Sequence, residues 1–140
     1  MPANTDAMIR DILQQTKVIA LVGWSPKPDR PSHGVARFLV SRGYQVIPVN
    51  PGQAGVAALG TTVRASLSDI TEQVDMVDIF RRSEEVLPVV EEALRALPEL
   101  RTIWMQLGVE NAQAAALAVG RGLHVVQNRC PAIEIPRLHL

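Results

Sequence analysis

The stretch Val18-Ile19-Ala20-Leu21-Val22-Gly23, followed by Trp24-Ser25-Pro26-Lys27-Pro28-Asp29-Arg30-Pro31-Ser32, decides the fold. Its first five residues are apolar without alternation. A strand with one wet face alternates apolar and polar residues, so an unbroken run marks a strand covered on both faces, as in a parallel sheet between helices. The residues that follow include three prolines, which fix φ and lack a backbone donor, so they form a loop. Ser32 then reads as an N-cap for a helix presenting Val35, Phe38 and Leu39 and ending near Gly43.

Working outward, the pattern repeats. Upstream, Thr5 or Asp6 can cap a short helix with Met8, Ile9, Ile12 and Leu13 on one face. Downstream, Tyr44 to Val49 reads as a second buried strand, stopped by Asn50-Pro51-Gly52. Residues 53–64 suggest an irregular ribbon around Gly60, and Ser66 or Ser68 can cap a brief turn through Ile70. Met76 to Phe80 forms a third strand. A helix follows with Val86, Leu87, Val90, Leu94 and Leu97 at helical spacing, its first turn disturbed by Pro88. Thr102–Met105 is a fourth strand, Asn111–Val119 a helix and Leu123–Val126 a fifth strand; residues 128–140 are an irregular tail or a short terminal helix. Strands alternating with helices imply right-handed βαβ crossovers. The expected fold is α/β: a Rossmann-like three-layer α/β/α domain with a mostly parallel sheet of about five strands.

The 140 residues fit one domain, residues 1–140, and 47% apolar content is ordinary for a globular chain. Lys plus Arg and Asp plus Glu both count 14, so the basic excess of a nucleic-acid binder is missing. Any anion site must be local, built from a few placed cations and backbone N–H groups. The longest apolar run is far short of the roughly 20 residues of a membrane span. Asp6, Arg10 and Asp11 interrupt the region where a signal peptide needs an apolar stretch, and the single cysteine, Cys130, has no internal partner. A cytoplasmic protein is expected.

In an open parallel sheet, ligands bind beyond the carboxyl ends of the strands, where the strand order reverses. The first such loop lacks the G-x-G-x-x-G of dinucleotide enzymes, since Trp24 follows Gly23 and the next glycine is Gly34. It offers Ser25, Lys27, Arg30 and Ser32 around a helix start instead, the makings of an anion site. A rigid connector with solvated charges is the bland alternative. After the second strand, NAD-binding domains place an acid for the ribose hydroxyls; here stands Asn50, then Pro51.

These segments carry a resemblance. Gly23 to Ser32 (G-x-S-x-x-P-x-R-x-S), Pro48-Val49-Asn50-Pro51, Val74 to Arg81, Trp104 to Val109 and Arg129-Cys130 run in order through nearly the whole chain. Together they resemble the small stand-alone CoA-binding domain proteins of bacteria and archaea, the YccU-like group. That group is similar in turn to the CoA-binding domain of the succinyl-CoA synthetase alpha subunit. The resemblance implies coenzyme A lying across the strand ends, with the Gly23 to Ser32 loop cradling phosphate. Asn50-Pro51 would flank the nucleotide and Phe80-Arg81 line the ligand's path. Trp24 and Gln106, at strand ends, either meet the ligand or simply pack.

No catalytic set emerges. His33, His124 and His139 are scattered, and a Ser25–His33 dyad would need an orienting acid in a geometry nothing indicates. Asp75 and Asp78 read as structural carboxylates bonded to backbone N–H groups or an arginine. Glu84-Glu85 and Glu91-Glu92 read as solvated surface. One Cys and three dispersed His have no metal-ligand spacing. Cys130 stands either at the ligand rim, where it could exchange with a CoA thiol, or under the tail as an inert packed residue. The expected function is non-catalytic binding of CoA or acyl-CoA by a carrier, sensor or regulatory partner. A protein partner or a homo-oligomer is left open. The alternatives are a subunit completing an acyl-CoA ligase or transferase with a second chain, and an NAD-sensing module.

Overall fold

A computed structural model describes residues 4–140. Its centre is a five-stranded sheet with every neighbouring pair parallel: β1 (Val18–Val22), β2 (Gln45–Val49), β5 (Met76–Ile79), β6 (Thr102–Met105) and β7 (His124–Val126), in the order β2-β1-β5-β6-β7. A two-residue antiparallel ribbon, β3 (Ala57–Ala58) with β4 (Thr61–Thr62), occupies the stretch around Gly60. Helices α1 (Asp6–Gln15), α2 (Pro31–Ser41) and α5 (Pro131–Arg137) cover one face of the sheet. Helices α3 (Val86–Ala96) and α4 (Ala112–Gly120) cover the other.

The strands sort their side chains accordingly. Ile19, Leu21, Met76, Trp104 and Val126 project toward α1, α2 and α5, while Ala20, Val22, Val77, Ile79, Ile103 and Met105 project toward α3 and α4. Both faces are apolar, which is why the strands read as unbroken runs. The tail becomes α5, packed through Ile135 and Leu138.

Local chemistry sets the helix ends. Thr5 caps α1 by accepting from Met8 N, and Asn111 caps α4 by accepting from Ala114 N. Pro88 shapes the entry to α3 as expected: a 3₁₀ turn at Ser83–Glu85 precedes the α-helix, and Pro88 falls in its first turn. Ser32 differs from the sequence expectation. Arg30 is the cap residue and Pro31 the first helical residue, because proline's fixed φ and missing donor suit that position. Ser32 lies one residue further in, with its hydroxyl turned to other use.

The edges are blocked against further pairing. β2 carries Pro48, which lacks an N–H, and Arg64 N donates to Pro48 O at 2.9 Å. Arg64 is held in turn by Glu72, which accepts two guanidinium bonds of 2.8 Å; that pairing draws the Glu72 carboxyl down to about 2. On β7, Asn4 Nδ2 donates to Val125 O at 3.1 Å. No helix among the described residues is long and apolar enough to cross a membrane.

Candidate functional site

The strand order reverses at β1. The chain runs from β1 to its neighbour β2, then later returns to fill β5 on the other side. Beyond the carboxyl ends of β1 and β5 the connections diverge and leave a crevice. Gly23 closes β1 there with φ +90°, and a Cβ at this position would lie 2.2 Å from Phe80 O and 3.2 Å from Phe80 Cβ. Only glycine permits both the dihedral and so close an approach of the two strand ends. Val49 O at the end of β2 accepts from Gly23 N (3.0 Å) and Trp24 N (3.2 Å), so three strand ends converge on this residue.

The loop beyond Gly23 is tied to itself. Ser25 N donates to Ser32 Oγ at 3.0 Å and Lys27 N donates to Ser25 Oγ at 3.2 Å. His33 Nδ1 lies 3.0 Å from Ser25 O; a carbonyl only accepts, so this nitrogen carries the proton. The His33 ring stacks on Trp24 with centroids 5.9 Å apart. Asn50 joins the second loop to the first: its Nδ2 donates to Trp24 O at 2.7 Å, while its Oδ1 accepts from Gly52 N. The local spacing Ser25…Ser32-His33 thus folds the loop into a fixed hoop at the start of α2.

Inside this hoop is an open cavity of about 270 Å³, lined by Gly23, Ser25, Lys27, Arg30, Pro31, Ser32 and Phe80. Six of these were singled out from the sequence, and the fold brings them together. Lys27 and Arg30 are exposed, and among the described residues neither has a carboxylate within ion-pair distance. The start of α2 adds its partial positive charge. Two free cations, hydroxyls and a helix start around one opening make a receptor for anionic oxygens.

The remaining candidates stand elsewhere. Trp24 is only 4% exposed and packs in the core beneath α2, off the cavity wall. Asn50 is engaged in the two loop bonds just described, and Pro51 is exposed beside it. Arg81 follows Phe80 but is paired with Glu85 at 3.1 Å. Gln106 closes β6 next to β5, its N–H donating to Ile79 O at 3.3 Å. Cys130 is buried at the cap position of α5.

Two further residues behave in ways that composition could not reveal. Asp75 fits its structural reading, with Oδ2 accepting from Lys17 N (3.0 Å) and Val18 N (2.9 Å). Asp78 does not. It is fully buried in β5, neither carboxyl oxygen has a partner, and burial pushes its carboxyl well above the usual range. His33, read from sequence only as an unsupported half of a dyad, proves to be the clamp on Ser25. Its eight-residue spacing from Ser25 was the one available signal.

Residues 17–136 match a family described as CoA binding domain. An uncharacterized protein of Bacillus subtilis, YneT, is 40% identical over 130 residues, covering 93% of both chains. Among solved structures, a protein of Thermus thermophilus superposes with a TM-score of 0.90 at 35% identity, over 96% of this chain and 99% of that one. A hypothetical protein of Pyrococcus horikoshii does so with a TM-score of 0.89 at 37% identity, over 98% and 94%.

Proposed function

The chain belongs to the CoA-binding domain family, and on that premise we propose that it binds coenzyme A or an acyl-CoA as a carrier, sensor or regulatory partner, without transforming it. The observation that carries this reading is the cavity at the strand-order reversal, where Lys27 and Arg30 stand unpaired beside the start of α2. Coenzyme A carries phosphates, and a receptor for anionic oxygens at this point of the sheet suits them. NAD fits less well. The acid that would hold its ribose hydroxyls is replaced by Asn50, whose side chain is already committed to Trp24 O and Gly52 N.

In this reading Gly23 lets the ligand approach the backbone, Ser25 and Ser32 shape the hoop, and Phe80 walls the cavity. Asn50 positions the loop, Pro51 flanks the nucleotide, and Arg81 supplies further positive charge at the mouth. Lys27 and Arg30 contact phosphate. Charge-assisted hydrogen bonds contribute about 1.5–3 kcal/mol each, so Lys27→Ala and Arg30→Ala should each weaken CoA binding by roughly 10- to 150-fold in calorimetry. Both side chains are exposed, so the loss should shrink as salt is raised. Unchanged affinity in both variants would move the phosphate site away from this loop, with Arg81 and Arg82 next in line.

A further inference from the structure

Among the described residues, four buried side-chain atoms have no hydrogen-bond partner within the chain: Trp24 Nε1, both oxygens of Asp78 and Gln106 Oε1. All four lie on one side of the sheet. Asp78 pairs with Leu21 and Trp104, whose side chains pack toward α1, α2 and α5, so its own side chain turns the same way. Gln106 stands two residues beyond Trp104 and extends the ladder by donating to Ile79 O, so alternation brings its side chain to that face as well. Trp24 follows β1 and packs in the same layer. The three residues thus belong to three adjacent strands, β1, β5 and β6, near their carboxyl ends.

Their bonding capacities are complementary. An indole N–H only donates and an amide oxygen only accepts, whereas a protonated carboxyl does both. Burial keeps Asp78 protonated. The four atoms then amount to two donors and two acceptors. The spacing and rise of a sheet put the diagonal neighbours Asp78 and Gln106 about 8 Å apart at Cα. The titratable groups that α2 and α5 bring to this face are engaged elsewhere: His33 donates to Ser25 O, and Glu134 accepts from Arg129 and Arg137. From α1 come only Ile9, Ile12 and Leu13 among its buried residues. Native structures rarely leave buried polar atoms unpaired, and a water that takes two to four polar partners is the usual remedy.

We propose that internal water binds between Trp24, Asp78 and Gln106, completing a buried hydrogen-bonded chain with the Asp78 carboxyl at its centre. The indole N–H and the carboxyl O–H donate into this water, and it donates in turn to the other carboxyl oxygen and to Gln106 Oε1. The chain fastens Trp24, at the root of the anion loop, to the middle of the sheet. It belongs to the unliganded protein and stands apart from the CoA reading.

A crystal structure of the full chain, sharp enough to place internal waters, should show one within about 3.2 Å of Trp24 Nε1 and of an Asp78 oxygen. In solution the two tryptophans give two indole N–H signals, and Trp24→Phe identifies which belongs to Trp24. Exchange of the Trp24 indole proton with solvent should match wild type in Asp78→Asn, whose amide both donates and accepts. In Asp78→Leu it should run about tenfold faster. The Trp104 indole, bonded to Arg129 O at 2.8 Å, serves as the control and should not change. If Asp78→Leu is too unstable to measure, the crystallographic result decides. A layer without water around Trp24 Nε1, or equal exchange in Asp78→Asn and Asp78→Leu, would overturn the proposal.

Discussion

Gly23→Ala is expected to abolish tight CoA binding and to cost about 3 kcal/mol or more of stability. Two independent penalties combine there. The residue holds φ +90°, a conformation that costs a side-chain-bearing residue roughly 1–3 kcal/mol. The added Cβ would also sit 2.2 Å from Phe80 O, which is main chain and cannot swing aside. Either β1 or β5 must shift, in a core packed too densely to absorb the movement. Such a shift would part the strand ends from which the phosphate loop hangs. For a chain of this length the stability loss corresponds to a melting point lower by about 10 °C. Gly122→Ala separates the two penalties. Gly122 has φ +84° at the opposite, amino edge of the sheet, with open space where the Cβ would go. It should cost only the dihedral strain and leave CoA affinity unchanged. Equal, mild effects in the two variants would show that the Gly23–Phe80 approach is not critical.

The second large effect concerns Asp78. Burial without any hydrogen-bond partner keeps its carboxyl protonated well above the usual carboxylate range, while in the unfolded chain it ionises near 3.8. Above that lower value the native state holds a proton that the unfolded state has released. Stability therefore falls as pH rises, by about 1.4 kcal/mol per pH unit for as long as the native carboxyl stays protonated. Below about pH 4 both states are protonated and this contribution vanishes. Asp78→Asn has no such titration, so its stability relative to wild type should climb as the pH rises from about 4, for as long as the native carboxyl stays protonated. Denaturant unfolding of both proteins across that range measures the difference directly. A difference independent of pH would mean that Asp78 is ionised in the native state, with a partner not apparent in the structure.

How much of this was legible beforehand depended on whether the information was local. The buried strands announced themselves, because a parallel strand covered on both faces is apolar throughout, as Val18–Val22 is. The βαβ alternation then located the strand ends; the chemistry of the first loop picked out Ser25, Lys27, Arg30 and Ser32, and the family resemblance added Gly23 and Phe80, all six of which line the cavity. What escaped was decided by contacts distant in sequence. Nothing in Met76-Val77-Asp78-Ile79 distinguishes an aspartate without partners from Asp75 three residues earlier, which accepts two backbone bonds from the start of β1. The strand register makes that distinction. Likewise Ser32 looked like a cap because serine is a good one, but Pro31 takes the first helical position and frees the hydroxyl for Ser25 N. Trp24, at a strand end, could be read either as a ligand contact or as a packed residue; the fold buries its ring, stacked on His33, and Asn50 donates to its carbonyl. Gln106 was visible as a strand-end residue, but its burial to 6% exposure, with Oε1 unpartnered among the described residues, is set by packing distant in sequence.

The most direct test of the central claim is the melting temperature of the purified protein with coenzyme A and, in parallel, with NAD. A ligand present at about 100 times its dissociation constant adds roughly 2.7 kcal/mol to the native state, a rise of several degrees for a domain of this size. CoA should produce that rise, and NAD at the same concentration should leave the curve where it was. Equal shifts with both would contradict a CoA-specific site, and no shift with CoA at millimolar concentration would contradict CoA binding itself.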